Sequence, residues 1–331
     1  MRMFSKVGLL LILLWCAAAQ SQETREWLPS WADSENRAAL IEFVENTATP
    51  GRAEFIKPAE RIAVFDNDGT LWAEQPLYFQ LAYTLDRVRE LAPQHPEWRE
   101  QMPYKAVLEN DLAAVFASGE HALLELVFST HAGNTTEEFA SSVSTWLQSA
   151  RHHDTGGPYT EMVYQPMLEI LTYLRANGYK TFIVSGGGIE FMRVFAEQVY
   201  GVPPEQVIGS RVVTSYQLVD GKPVIVREAE LDFNDDKAGK PVGINQHIGR
   251  RPVIAFGNSD GDFQMLEWTT SGTGSRLGVY VHHDDAEREW AYDRESSIGR
   301  LDKGLDESAG RGWLVVSMKS DWLRIFPPTA D

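Results

Sequence analysis

The sequence predicts an α/β protein built on a doubly wound parallel sheet, with an inserted helical cap and a small β-hairpin insertion. Three observations carry that prediction. Short continuous apolar runs at 61–65 (RIAVF), 181–184 (TFIV) and 252–256 (PVIAF) each end in a polar, glycine-containing turn, the pattern of strands buried on both faces. Segments of helical periodicity at 165–177, 190–200 and 242–248 lie between or beside these runs, and alternation of helix with buried strand favours an open, doubly wound sheet. The chain has 331 residues, 43% of them hydrophobic, enough for a large core and about two domains, which excludes a disordered or fibrous protein.

The elements follow in order. Residues 1–19 (MRMFSKVGLLLILLWCAAA) carry Arg2 and Lys6, then an apolar run, then small residues ending at Ala19. This is the pattern of a cleaved export signal, too short to span a bilayer, so the mature chain is expected to be periplasmic or secreted, without stable membrane insertion. Lipidation at Cys16 is opposed by Trp15, since a small residue is wanted before the cysteine. Cys16 is the only cysteine, so cleavage after Ala19 excludes thiol redox chemistry, thiolate zinc sites and a cysteine nucleophile. Residues 33–47 predict a lead-in helix capped by Asp33 or Ser34. The stretch 77–150 shows helical spacing at Leu81, Leu85, Val88 and Leu91, at Val107, Leu108, Leu112 and Val115, and at Phe139, Val143, Trp146 and Leu147. It reads as a helical cap inserted into a core formed by 20–76 and 151–331. Residues 210–228 alternate polar and apolar around Asp220-Gly221, a hairpin signal. A fourth strand is expected at 277–281.

Charge narrows the partners. With 30 Lys and Arg against 47 Asp and Glu, the net charge is −17, and the resulting field repels nucleic acid and anionic lipid. Four polar clusters remain as candidates for chemistry, each beyond a strand or opening a helix, where open α/β sheets bind ligands. Asp66-Asn67-Asp68-Gly69-Thr70 places two carboxylates two residues apart, one able to attack and one able to carry a proton. Ser185-Gly186-Gly187-Gly188 offers a hydroxyl and backbone amides to an anion. Lys240-Pro241 opens a helix, with proline suited to its first turn. Gly257-Asn258-Ser259-Asp260-Gly261-Asp262 supplies oxygen donors suited to Mg²⁺.

Taken in this order, over residues 61–266, the four clusters resemble the haloacid dehalogenase superfamily of hydrolases, and within it the phosphoserine-phosphatase-like branch. The resemblance implies a Rossmann-like core. It implies Asp66 as the nucleophile that forms an aspartyl-phosphate, and Asp68 as the acid for the leaving alcohol and then the base for water. Ser185 and the Gly186 amide would hold phosphoryl oxygens, Lys240 would pair with Asp66 and the phosphate, and Mg²⁺ would be held by Asp66, the Asp68 carbonyl and Asp262. Asn258 stands where the family usually has Asp, one fewer charge at the metal loop, with Asp260 able to compensate. Asp68 argues against a dehalogenase, because a departing halide needs no proton. The expected function is therefore a Mg²⁺-dependent phosphatase acting on small-molecule phosphate monoesters of broad identity. A phosphotransferase on the same scaffold is the first alternative, and a non-catalytic binding protein that kept the fold the second.

Trp72, Glu74, Gln75 and Tyr78 follow the first cluster, where this branch places residues facing the substrate. Serine-phosphate specialists tend to carry Glu nine residues after the nucleophile; here Gln75 holds that position, with Glu74 just before it. Trp72 and Tyr78 suggest an aromatic wall, suited to packing or to a quaternary ammonium group. His282-His283-Asp284-Asp285 is not read as a metal site, because adjacent strand residues point to opposite faces.

Overall fold

The structure, a computed structural model, describes residues 27–328; the export signal expected at 1–19 lies outside the described residues. Eight strands form one sheet: β1 (Ile62–Phe65), β2 (Lys180–Gly188), β3 (Val207–Val219), β4 (Lys222–Phe233), β5 (Ile254–Gly257), β6 (Leu277–Asp284), β7 (Ala291–Tyr292) and β8 (Leu314–Ser317). Their order is β4-β3-β2-β1-β5-β6-β7, with β8 also paired to β6. The pairs from β3 through β2, β1, β5 and β6 to β8 are parallel. The sheet is thus wound outward in both directions from β1, as the alternation of helix and strand predicts.

Burial explains why β1 is central. All four of its residues are buried, and they alternate between two apolar layers: Ile62 and Val64 face one, Ala63 and Phe65 the other. Phe65 stacks on Phe256 of β5 with ring centroids 4.5 Å apart. Helices α1 (Glu35–Ala48), α7 (Gln165–Ala176), α8 (Ile189–Arg193), α9 (Ala196–Tyr200) and α13 (Met318–Asp321) cover the face of Ala63 and Phe65. On the other face lie α10 (Gly239–His247), α11 (Phe263–Thr270) and α12 (Lys303–Arg311). Ser34 caps α1, its hydroxyl accepting from the Arg37 amide at 3.2 Å.

Between β1 and β2 run α2 (Phe79–Leu91), α3 (Tyr104–Leu108), α4 (Leu112–Ala117), α5 (Gly119–His131) and α6 (Thr136–Ser149). Leu85, Val88, Trp98, Tyr104, Val107, Val115 and Leu126 form a separate apolar cluster there. The last helix departs from that unit: Phe139, Val143, Trp146 and Leu147 of α6 pack into the main core instead.

Several boundaries differ from the sequence reading, each for a local reason. The spacing through Val107 and Val115 is split into α3 and α4 because Asn110 takes a positive φ of 57°, which ends one helix, and Asp111 then caps the next. Helix α5 carries its own apolar spacing at Leu123, Leu124 and Val127, which the sequence reading passed over. The helix expected at 190–200 is two short ones. Phe195 leaves helical backbone between them and inserts its ring against Trp72, centroids 4.4 Å apart. Pro241 is the third residue of α10, not the first, and still falls where the amide lacks a helical partner.

The hairpin is longer than expected because its first strand continues the sheet. Residues 207–210 pair in parallel with β2, and the rest of β3 turns away to pair antiparallel with β4. Asp220 and Gly221 both take positive φ, 52° and 75°, the backbone of a type I′ turn. β4 then reaches the cap, where the Gly133 amide donates to the Arg227 carbonyl at 2.8 Å and the Arg227 amide to Asn134 at 3.0 Å. Hairpin and cap together enclose the carboxyl end of the sheet. No helix of the described residues is long and apolar enough to cross a membrane.

Candidate active site

The carboxyl ends of β1, β2 and β5 converge where the winding of the sheet reverses, the position at which such folds leave a crevice. A cavity of about 400 Å³ opens there, lined by Asp66, Asp68, Ser185, Lys240 and Asp262 among others. Asp66 follows β1 directly, and its amide donates to the Phe256 carbonyl at 2.9 Å, which fixes the start of the turn. Gly69 takes a φ of +73°; a Cβ there would lie 2.0 Å from Asn258 Nδ2 and 2.4 Å from Glu74 Oε1. Only glycine permits both the conformation and the approach.

Lys240 sits at the charged centre. It is 2% exposed, and its Nζ donates to Asp66 Oδ1 at 2.6 Å and to the Val184 carbonyl at 2.9 Å, with Asp262 Oδ1 2.7 Å away. Burial works to lower its pKa, but the Asp262 and Asp66 charges outweigh burial and raise it, so the ammonium is retained. Asp66 is pushed up by burial and then by Asp262, against the pull of Lys240. Asp68 is likewise raised by burial, partly offset by its hydrogen bond from Trp72. The Trp72 indole Nε1 donates to Asp68 Oδ1 at 2.8 Å. Ser185 is buried at the end of β2, its hydroxyl accepting from the Gly187 amide at 3.2 Å. A Cβ on Gly187 would lie 3.4 Å from Ser185 Oγ and 3.5 Å from Asp68 Oδ2, so the glycine keeps the floor between them open. Gly186 lines the same floor.

The 257–262 loop, expected from the sequence to hold the metal, differs from that reading in two respects. Asp262 does not present a free carboxylate: Oδ2 accepts from the Asn258 and Ser259 amides at 3.0 and 3.1 Å, and Oδ1 faces Lys240. It holds the loop and orients the lysine. Asp260 does not compensate for Asn258, because its carboxylate accepts from the amides of Asp302, Lys303 and Gly304 and caps α12. The acidic side chain that stands beside Asn258 is Glu74. Asn258 Nδ2 donates to Glu74 Oε1 at 2.6 Å, and Thr70 Oγ1 donates to Asn258 Oδ1 at 3.1 Å. Tyr292 adds a third contact, its hydroxyl donating to Glu74 Oε1 at 2.8 Å.

Among the described residues no three Asp, Glu, His or Cys side chains converge as a metal cluster. The donors still fit a hard cation. Asp66, the Asp68 carbonyl and the Asn258 amide oxygen are all oxygen ligands, and Mg²⁺ keeps several waters of its own. Burial raises Asp66, Asp68 and Glu74, and repulsion from neighbouring carboxylates adds to it at Asp66 and Glu74, a crowding of buried carboxyls that a divalent cation would relieve.

The four residues expected to face the substrate separate. Glu74 and Tyr78 line the cavity. Trp72 does not: it is 1% exposed, packed on Phe79 and Phe195, and acts through Asp68. The aromatic wall of Trp72 and Tyr78 is therefore not formed. Gln75 turns toward the far loop, donating to the Ile298 carbonyl at 3.3 Å. Gln80, which the sequence did not single out, reaches in from α2 and accepts from the Gly188 amide at 2.6 Å. His283 is buried and bonded to the Gly69 carbonyl at 2.8 Å, which fixes the 66–70 turn from behind. Neither could be found from spacing, since both contacts join distant segments.

Fold and site together define a hydrolase of the doubly wound class with an aspartate-bearing turn after its first strand. The family model for haloacid dehalogenase-like hydrolases matches residues 63–267, and the chain belongs to that family. No curated protein matches it. Among solved structures, a functionally unknown protein from Anaerococcus prevotii is 17% identical, with 75% of this chain and 85% of that one covered and a TM-score of 0.49. A protein of unknown function from Bordetella pertussis is 18% identical, covering 78% and 98%, with a TM-score of 0.47. A phosphoserine phosphohydrolase-like protein from Francisella tularensis is 17% identical, covering 76% and 98%, with a TM-score of 0.38.

Proposed function

We propose that this chain is an exported, Mg²⁺-dependent phosphatase that hydrolyses phosphate monoesters of small organic molecules. The observation that carries the reading is the pairing of Asp66 with Lys240 at 2.6 Å, beside a second carboxylate, Asp68, held on the same turn by Trp72. In the first step the Asp66 carboxylate attacks phosphorus and the bond from phosphorus to the ester oxygen breaks. Asp68 gives its proton to the departing oxygen. In the second step Asp68 takes a proton from water as that water attacks the phosphorus of the aspartyl-phosphate, releasing Asp66 and inorganic phosphate. The raised pKa of Asp68 suits it to carry a proton nearer neutral pH. Lys240, Ser185 and the Gly186 amide bind the phosphoryl oxygens, and Lys240 keeps Asp66 aimed.

Asp66, the Asp68 carbonyl and Asn258 are the residues to hold Mg²⁺, with Glu74 adding charge behind Asn258. When bound, the ion neutralises charge on the transferring phosphoryl group. The decisive experiment measures phosphate release from a panel of monoesters with and without Mg²⁺, beside Asp66→Asn. Metal-dependent turnover that is lost in the variant is expected. Folded protein that releases phosphate from no ester with any divalent metal overturns the reading. For export, the protein recovered outside the cytoplasm is expected to begin at Gln20.

A further inference from the structure

The phosphoryl end of the cavity is polar, but its other end is not. Beyond Tyr78 the cavity is walled by Leu81 of α2, by Leu123, Leu124, Val127 and Phe128 of α5, and by Leu231 of β4. The four α5 residues are half-buried, so they present apolar surface to the space rather than vanish into the cap core. A phosphate ester seated with its phosphorus beside Asp66 and Lys240 can direct its alcohol portion along this space, which belongs to the same cavity.

The cations at this end are already engaged. Apart from Lys240, the cations lining the cavity are Arg211 and Arg227. Arg227 is 5% exposed; its guanidinium pairs with Glu190, donates from Nε to the His131 carbonyl at 3.1 Å, and lies 4.0 Å from the centroid of the Phe139 ring. Arg211 pairs with Asp232 at 2.5 Å and contacts His247. Both guanidiniums are thus held by groups of the protein itself. Against the α5 wall a charged leaving group such as serine would give up its hydration for apolar side chains, and its carboxylate would meet the lining carboxylates Glu190 and Asp236 rather than an unpaired cation.

From this arrangement, and resting on the phosphatase reading above, we propose that the substrate class is the phosphate monoester of an uncharged, apolar-bodied alcohol or phenol, whose alkyl or aryl portion packs against α5. The cavity volume of about 400 Å³ suits a single small ligand. This narrows the broad specificity expected of an exported phosphatase: breadth would extend across apolar leaving groups, not across charged ones.

The test is a homologous series. Phosphate release is measured for methyl through hexyl phosphate and for phosphoserine, and binding of the matching n-alkylphosphonates is measured by calorimetry with the same protein and Mg²⁺. Each methylene buried is expected to raise kcat/KM and phosphonate affinity about fourfold until the chamber is filled, and phosphoserine is expected to be turned over more slowly than butyl phosphate. In Val127→Asp the slope against chain length is expected to flatten. Phosphoserine or methyl phosphate turned over as fast as hexyl phosphate overturns the inference and leaves the phosphatase standing. Phosphonate affinities that do not climb with length overturn it irrespective of turnover. Affinities that climb while no ester releases phosphate refute the phosphatase and leave an apolar ligand chamber.

Discussion

Replacing Lys240 by Met tests the charged centre directly. Methionine keeps an unbranched stem of similar length and removes the ammonium, so packing is largely preserved while Asp66 and Asp262 lose their common cation. The lysine Nζ lies 2.6 and 2.7 Å from their oxygens, and all three side chains are buried. Removing one partner of a buried pair costs about 3–5 kcal/mol, because the remaining charge is left without compensation. Protonation of the carboxylates is the escape. A buried carboxyl without a cation has its folded pKa raised above its unfolded value, so it favours the fold at low pH and loses that contribution as pH climbs through the folded pKa. The deficit of the variant should therefore be largest at alkaline pH and shrink by up to about 1.4 kcal/mol per proton for each pH unit of acidification. Equilibrium urea unfolding of both proteins with a chelator present, near pH 8.5 and near pH 5.5, reads the difference. A variant within about 1 kcal/mol of the parent at the higher pH, or equally weakened at both, refutes the view that Lys240 is the counter-ion of two buried carboxylates.

Two further outcomes are expected. Asp68→Asn should lower kcat/KM by about 10²–10⁴ for alkyl phosphates, whose departing oxygen needs a proton, and much less for p-nitrophenyl phosphate; equal losses on both would remove Asp68 as the acid. Asp235 is fully buried and pushed up to about 8, chiefly by burial, so it should destabilise the fold progressively as pH rises from about 4 to about 8. The Tm advantage of Asp235→Asn over the parent should then grow from near pH 4 to near pH 9, and a constant difference across that range would contradict the assignment.

How much was legible follows from what each signal encodes. Continuous apolar runs at β1, β2, β5 and β6 declare burial on both faces, and the turn behind each run declares its carboxyl end, so the sheet and the residues at its rim could be placed. The edge strands β7 and β8 are too short, and β8 too plainly half-buried, to stand out from loops. Helix ends failed where tertiary contacts decide them, as at Phe195, whose ring is claimed by Trp72. The same contact turned Trp72 from a presumed substrate wall into the residue that orients Asp68. Apolar spacing in the cap could show that helices exist; it could not say which stripe faces a core and which faces a cavity. That distinction separates α6, packed into the main core, from α5, which lines the cleft.

Asn258 shows the limit of reading a site at fixed offsets. Judged by its own loop, the chain lacks a carboxylate, and the nearest acidic neighbour in sequence, Asp260, is turned away to cap α12. The fold supplies a carboxyl from a distant place: Glu74, 184 residues earlier, meets Asn258 at 2.6 Å. Room for that meeting is made by two glycines with positive φ. A Cβ on Gly69 would lie 2.4 Å from Glu74 Oε1 and one on Gly299 2.0 Å from the same atom. The amide at 258 and the carboxylate at 74 therefore belong to one arrangement. Asn258 supplies a hydrogen-bond donor that an ionised aspartate lacks, whereas an aspartate there would place two buried carboxyls in contact, which coexist only by sharing a proton. Asn258→Asp alone would set two buried carboxyls against each other, so the 257–262 loop has to be understood together with Glu74, Gly69 and Gly299.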